Sequence, residues 1–557
     1  MTVSTGGQMV ISTLKRAGVD TAFGINGAHV DSIYQAALDD GFRIIDVRHE
    51  MNAGHAAEGY ARVRGDVGVA ILTAGGGFTN AVTSMANAFL DRTPVVYIAG
   101  SGPLSLDQSN DLQSGIDQVA MASPVTKWAH RVTRTELIPR LLAQAVRVAR
   151  SAPAGPVLLD IPWDVLRESV ELPEDVNRLN LDGHGAAAPS SLDDIERRIR
   201  SAERPVALIG KPFAADSDRA ALHRFAERSG VPLVSDYDGL GAILGTPQGI
   251  GLVQILATLP SDEKPDLIIM LGVRFGLTTA LTSGTLIPHG IQIVQIDSSG
   301  AELGRLETVA LAIQADPGAT VSALAERFER PSAPSTWTQR LSRVAEERTA
   351  AVMAEKVPGD RIHPLDAVTA IATSLPSGST VVADGALTYL WLSETIAKSN
   401  VAHYLCHGYL GSMGVGMGTA LGAQSARPGE ITVLVTGDGA VGYSLAEFDT
   451  MVRAELPVVV IVLNNRAWGA TWHAQEIVLG RDRVTNNALS NGSYSAVARA
   501  LGADGYEVTR LNELADAITK AIAAGRPACI DVQVDLDPIP PEEKVLMGGL
   551  PFGAGEA

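Results

Sequence analysis

Two stretches in the last third of the chain place oxygen-bearing side chains at an interval that suits a hard divalent cation. The apolar run Val433-Leu434-Val435-Thr436 ends in Gly437-Asp438-Gly439-Ala440, and the next apolar run, 458–463, ends in Asn464-Asn465. The interval from Asp438 to Asn465 fits one strand–helix–strand unit. Both side chains are therefore expected at the carboxyl ends of parallel strands, where open α/β sheets take their ligands. A carboxylate, an amide oxygen and a nearby backbone carbonyl form a set suited to octahedral Mg²⁺, with phosphate oxygens filling other positions. Gly439 lets backbone N–H groups approach a phosphate, and the start of the following helix favours negative charge. Gly-Asp-Gly alone is a common turn and Asn-Asn a common strand end; the pair at this interval carries the inference.

The charge balance asks for the same cation. The chain has 62 Asp and Glu against 44 Lys and Arg, a formal charge of −18. That argues against nucleic acid or an anionic membrane as partner. A polyphosphate ligand would be repelled as well unless a bound divalent ion offset it locally. In the first third, Glu50 follows the run Ile44-Ile45-Asp46-Val47 and stands at an expected helix start. Alone, a glutamate there serves the helix dipole.

The elements that must position these residues follow an alternation of short β-branched runs with helix-length amphipathic segments, the pattern of parallel α/β sheets. Strands are expected at 42–47, 68–72 and 94–98, with helices at 52–62 and 80–90, the second opened by Gly75-Gly76-Gly77. A polar, small-residue stretch at 172–191 reads as a linker. Further strands are expected at 205–209, 232–235, 267–271 and 291–296. Pro331-Ser332-Ala333-Pro334-Ser335 marks a second boundary, and the last third starts near Pro358, with strands at 380–383, 432–436, 457–463 and 528–534. At 557 residues the chain is too long for one core. Three consecutive parallel-sheet α/β domains are expected, over 1–180, 190–335 and 355–557. No apolar run approaches a membrane span and no secretion signal is visible. The two cysteines, Cys406 and Cys529, read as buried small hydrophobes, and a reducing cytoplasm is expected.

The Asp438–Asn465 pattern resembles the motif of thiamin-diphosphate-dependent enzymes. More selective segments are Gly27-Ala28-His29, Arg48-His49-Glu50, Thr73-Ala74-Gly75-Gly76-Gly77-Phe78-Thr79-Asn80 and Gly115-Ile116-Asp117-Gln118-Val119-Ala120-Met121. With them go Asp384-Gly385-Ala386-Leu387-Thr388-Tyr389-Leu390-Trp391 and His407-Gly408-Tyr409-Leu410-Gly411-Ser412-Met413-Gly414. Together they resemble the benzaldehyde lyases of that family, which cleave (R)-benzoin to two benzaldehydes and run the reverse ligation. The resemblance spans almost the whole chain. It implies thiamin diphosphate with Mg²⁺, with Ca²⁺ or Mn²⁺ able to substitute, and aldehydes or 2-hydroxy ketones as small-molecule partners. It also implies an active site where two subunits meet, hence a homodimer at least and a homotetramer by analogy, and a central domain without required flavin.

Carried over by position, the resemblance assigns Glu50 to the cofactor's pyrimidine N1′, where a carboxyl drives the imino tautomer that deprotonates the thiazolium. Asp438, Asn465 and the Ala467 carbonyl would hold the metal. Gly439, Ala440, Gly385, Ala386 and Leu387 would hold the diphosphate, with Gly411, Trp468 and Gly469 beside the cofactor and Met413 wedged between its rings. His29 and Gln113 would handle the substrate hydroxyl and carbonyl, a neutral histidine being apt for general-base work. Ala28, Trp163, Tyr389 and Ala470 would line the pocket. Otherwise His29 reads as a turn cap, and Trp163 and Met413 as core. The sequence departs from the family at Asn26, Ala440, Ala467, Trp472 and Ala474, where His, Ser, Ser, Leu and Phe are expected. If 467–474 is helical, 470 and 474 share a face, so Ala474 would widen the channel.

Two other readings fit the same residues. An acetolactate synthase-like or 2-hydroxyacyl-CoA lyase-like enzyme could use the same scaffold, although a 2-oxo acid needs a group for its carboxylate that Ala28, Trp163, Tyr389 and Ala470 do not supply. A catalytically dead cofactor- or flavin-binding regulator is opposed by the presence of Glu50, Asp438 and Asn465.

Overall fold

The computed structural model describes residues 2–543 except 107–108, 110, 173–184, 212, 214, 281–282, 330–333, 357–358, 398 and 491. Three six-stranded parallel sheets follow one another along the chain. The first contains, in spatial order, Arg43–Asp46, Thr21–Gly24, Gly68–Leu72, Val95–Ser101, Val157–Pro162 and Trp128–Arg131. The third contains His403–Cys406, Thr380–Asp384, Thr432–Gly437, Val459–Asn464, Ala528–Gln533 and Asp504–Val508. Counted along the chain, both have the order second, first, third, fourth, sixth, fifth. The outer domains therefore share one topology. The central sheet runs third, second, first, fourth, fifth, sixth, from Gly249–Leu252 at one edge to Leu311–Gln314 at the other.

The runs that read most plainly as strands are buried along their length, as expected of strands covered on both faces. Other expectations shift. The helix expected at 80–90 is two helices, Gly76–Asn80 and Val82–Leu90, so the glycine run starts a helix rather than preceding one. Of the stretch read as a linker, 173–184 lies outside the described residues. Its last three residues already belong to the helix Pro189–Ser201, whose first position tolerates proline because no N–H is needed there. Residues 331–333 and Pro358 also lie outside the described residues. Ser335 caps the 19-residue helix Thr336–Ala354, which leads from the central domain into the third.

The outer domains meet through the helices Glu50–Arg64 and Gly416–Ala426. Their small residues bring the backbones together: a Cβ at Gly59 would lie 2.2 Å from the Thr419 carbonyl oxygen, and one at Gly422 1.9 Å from that of Ala56. Glu50 opens the first of these helices, so this contact fixes its position relative to the third domain. Loops at the carboxyl ends of the central strands are engaged by the outer domains. Lys211 pairs with Asp91 at 3.0 Å, Asp297 with Arg92 at 2.9 Å, and the Arg274 guanidinium lies 3.9 Å from the Tyr409 ring centre. Both cysteines are free and buried. Among the described residues no helix is long and apolar enough to cross a membrane.

Candidate active site

In each outer domain the strand order reverses between the first and third strands, and ligands of open α/β sheets bind outside such a reversal. The third domain has a cleft there. Gly385, Ala386 and Leu387, after the first strand, line it with Asp438, Gly439 and Ala440, after the third. Asn465, Ala467, Trp468, Gly469 and Ala470, after the fourth strand, form another wall, and Met413 projects from the loop after the second. Gly411 lies in the same loop but outside the lining, exposed and with φ 65°. All of the lining belongs to the third domain and its neighbouring segments.

Asp438 is the electrostatic centre of this cleft. One of its carboxylate oxygens, Oδ2, is buried without a partner. Burial pushes the carboxyl up to about 6, against the pull of backbone N–H groups of Gly439, Arg466 and Ala467. An orphaned buried carboxylate oxygen is costly, and a cation beside it removes the cost. Asn465 presents its amide oxygen nearby, held by the Ala467 N–H at 3.1 Å. No cluster of three or more His, Cys, Asp or Glu among the described residues could hold a metal ion. A cation here would thus depend on amide, carbonyl and phosphate oxygens to complete its shell, and the residues fit Mg²⁺ bound together with a diphosphate. Gly439 cannot carry a side chain, because a Cβ there would lie 2.6 Å from the Trp468 ring.

Asp384 has no role in the reading of the sequence. It accepts the Gly414 and Gly416 N–H groups at 3.3 and 2.8 Å, and so ties down the loop that carries Met413. Met413 is half-buried and lines the cleft, rather than filling the core.

The corresponding end of the first domain gathers Glu50, His29 and Gln113. Glu50 is 9% exposed, opens a helix capped by His49, and accepts a hydrogen bond from the Asn80 amide at 2.9 Å. Gly75, with φ 61°, adopts a conformation that a side chain would strain, and a Cβ there would meet the Gln113 backbone at 2.9 Å. Gln118 holds this turn: its amide oxygen accepts the Gly75 N–H at 2.8 Å, and its amide nitrogen donates to the Gly100 carbonyl and to Asp160. His29 is 8% exposed. Burial lowers its pKa, with Asp111 and Gln113 pulling the other way, which favours the neutral ring. Its Nδ1 has no partner, and it does not cap the next helix, which has no side-chain cap.

The remaining pocket candidates disperse. Ala28 is exposed beside His29. Trp163 is half-buried under the Arg167 guanidinium, 4.7 Å from its ring centre. Tyr389 packs edge-on against Tyr237 and His407 rather than lining the cleft. Trp472 and Ala474 belong to the helix Gly469–Leu479, and neither lines the cofactor cleft. Trp472 donates to Glu476 at 3.1 Å and lines a larger neighbouring cleft.

Three family models match the chain: the thiamine pyrophosphate enzyme N-terminal TPP binding domain over 4–121, the central domain over 192–324, and the C-terminal TPP binding domain over 384–532. Among curated relatives, the probable acetolactate synthase of Mycobacterium bovis is 32% identical over 541 residues, 95% of each chain. The acetolactate synthase isozyme 2 large subunit of Escherichia coli is 28% identical over 535 residues, again 95% of each. Acetolactate synthase 1, chloroplastic, of Nicotiana tabacum is 30% identical over 570 residues, 97% of this chain and 82% of the relative.

Proposed function

Since this chain belongs to the thiamine pyrophosphate enzyme family, we propose that it uses thiamin diphosphate with Mg²⁺ to break or form the carbon–carbon bond next to a carbonyl. The bound cofactor supplies the nucleophilic carbon. In this reading Asp438, Asn465 and the Ala467 carbonyl hold the cation, and the backbone at Gly385–Leu387 and Gly439–Ala440 holds the diphosphate. Met413 supports the ring system, and Glu50 holds a proton at the pyrimidine N1′. Ca²⁺ or Mn²⁺ would satisfy the same oxygen set.

The substrate reading the geometry supports best is an uncharged 2-hydroxy ketone such as benzoin, cleaved to aldehydes, with the reverse ligation. It rests on His29: a buried imidazole whose pKa is lowered and whose Nδ1 is free can take the proton of a substrate hydroxyl. Gln113 then donates to an oxygen without changing charge. The second reading is an acetolactate synthase-like ligation of 2-oxo acids. The names of the relatives support it more directly than they support benzoin cleavage, and Arg167 over Trp163 is a cation that could meet a carboxylate. Offering the loaded enzyme benzoin, benzaldehyde and pyruvate separately, with chiral analysis of the products, separates the two. Acetolactate from pyruvate, with benzoin untouched, would overturn the first.

His29→Ala is expected to lower benzoin cleavage about 10²–10⁴-fold, the usual worth of general-base assistance, with little effect on cofactor affinity. Because the His29 pKa is lowered, the base form persists below the ordinary histidine range. In the wild type the acidic limb of kcat/KM should therefore lie below the ordinary histidine range, and it should be absent from the residual activity of the variant. A collapse of thiamin diphosphate affinity with normal turnover at saturation would remove His29 from the substrate.

The functional unit in this reading is a homo-oligomer, a dimer at least and a tetramer by family resemblance. The two half-sites are lined by different domains, and each carries exposed apolar residues on the single chain: Leu112, 80% exposed, with Ile116 beside Gln113, and Leu410 and Tyr443 near Met413. A second copy would cover them.

A further inference from the structure

The turn that carries Asn465 and Ala467 is held from behind by a carboxylate with no part in the chemistry above. Asp531 lies on the strand Ala528–Gln533, next to Val459–Asn464, and is fully buried at 0% exposure. Its charge is met by dipoles: Oδ1 accepts from the Asn464 and Gln533 amides at 3.0 and 3.1 Å, and Oδ2 from the Tyr494 N–H at 2.8 Å.

A carboxylate only accepts, so it decides which end of the Asn464 amide faces it. The nitrogen turns to Asp531, and the oxygen is left to accept the Arg466 N–H at 3.2 Å. Arg466 has φ 63°, the left-handed region that a residue with a Cβ enters only at a steric cost. Three bonds hold it: one from its N–H to Asn464, one from its guanidinium to the Gln533 amide oxygen at 3.0 Å, and one to its carbonyl from the Leu489 N–H at 2.7 Å. The same left-handed residue turns the chain between Asn465 and Ala467, both of which line the cleft with Asp438.

We propose that Asp531 is a positioning residue for the divalent cation. By orienting Asn464 it holds Arg466 left-handed, and so sets the Asn465 amide and the Ala467 carbonyl at the cation site beside Asp438. The inference rests on the metal reading above and extends it to a residue that touches neither metal nor cofactor. Asn464, the first residue of the Asn-Asn pair, thereby has a task distinct from that of the second.

The test is the Mg²⁺ concentration needed for thiamin diphosphate binding to the stripped protein, followed by tryptophan fluorescence, since Trp468 stands over Gly439. Asp531→Asn should raise the Mg²⁺ midpoint about 10–100-fold, the usual cost of losing a ligand's supporting partner. Asn464→Ala carries the same expectation, and serves if the first variant does not fold. Adding Arg466→Gly to either variant should return the midpoint toward the wild-type value, because glycine takes the left-handed turn without being held. A merely structural role for Asp531 predicts no such rescue. An unchanged midpoint, or a raised one that Arg466→Gly does not lower, overturns the proposal. A wild-type protein that binds thiamin diphosphate equally well without any divalent ion removes the metal reading itself, and the proposal with it.

Discussion

A Glu50→Gln variant is expected to keep its fold and its cofactor affinity and to lose turnover by several orders of magnitude. Glutamine has the same length and still offers the Asn80 amide an oxygen acceptor, so the 2.9 Å hydrogen bond at this helix start can persist. What it cannot do is hold and return a proton at the pyrimidine N1′. Misplacing one proton in acid–base chemistry costs about 10²–10⁴-fold. Here the loss precedes every later step, so it applies to cleavage and ligation alike. Exchange of the cofactor C2 proton, followed by quenched-flow NMR, measures the step directly. An exchange rate equal to the wild type would make Glu50 a structural residue, placed for Asn80 and the helix dipole.

Asp438→Ala should separate the stability of the empty protein from that of the loaded one. With cofactor and Mg²⁺ present, the variant should bind thiamin diphosphate more than about 100-fold less tightly. Losing a ligand's supporting partner already costs about 10–100-fold, and here the ligand itself is gone. Without cofactor the sign reverses. The Asp438 carboxyl is raised to about 6 by burial and keeps one oxygen unpartnered, so its charged form is a burden on the fold above that pH. Removing it should leave the melting temperature of the stripped protein equal or higher at pH 7.5. Cofactor titration and thermal unfolding of both forms give the two signs. Equal cofactor affinity in variant and wild type would dismiss Asp438 as the metal anchor.

Sequence alone located those elements and residues whose signal is local. The strands Gly68–Leu72, Pro205–Ile209 and Leu267–Leu271 were legible because burial on both faces writes an uninterrupted apolar run. The edge strand Trp128–Arg131 was not, because it is half-buried throughout and reads Trp-Ala-His-Arg. The helix Thr336–Ala354 was missed for a similar reason: only four of its residues are buried, among them Trp337 and Leu341. In the site, Asp438, Asn465 and the glycines around them announce themselves by spacing. The partners that hold them do not. Asn80 meets Glu50, Asp384 meets Gly416 and Asp531 meets Asn464 only after the chain has folded, and each pair is separated by 30 or more residues. Tyr389 sits within a selective motif, and in the single chain it packs against Tyr237 and His407.

The shared strand order of the outer domains bears on how such a chain can change its chemistry. Two copies of one wiring diagram put loops of equal rank at equivalent places. The loop after the first strand brings His29 in one domain and Gly385 in the other. The second strand is followed by Glu50 in one and by Met413 in the other, and the third by Gly75 and by Asp438 respectively. Whatever distinguishes a pyrimidine-facing domain from a phosphate-facing one is therefore written in short connections, while the sheets beneath are interchangeable in plan. A lineage built this way can alter what it accepts by editing a few loop residues, with no cost to either core. Relatives near 30% identity could keep both scaffolds and still part company over substrates.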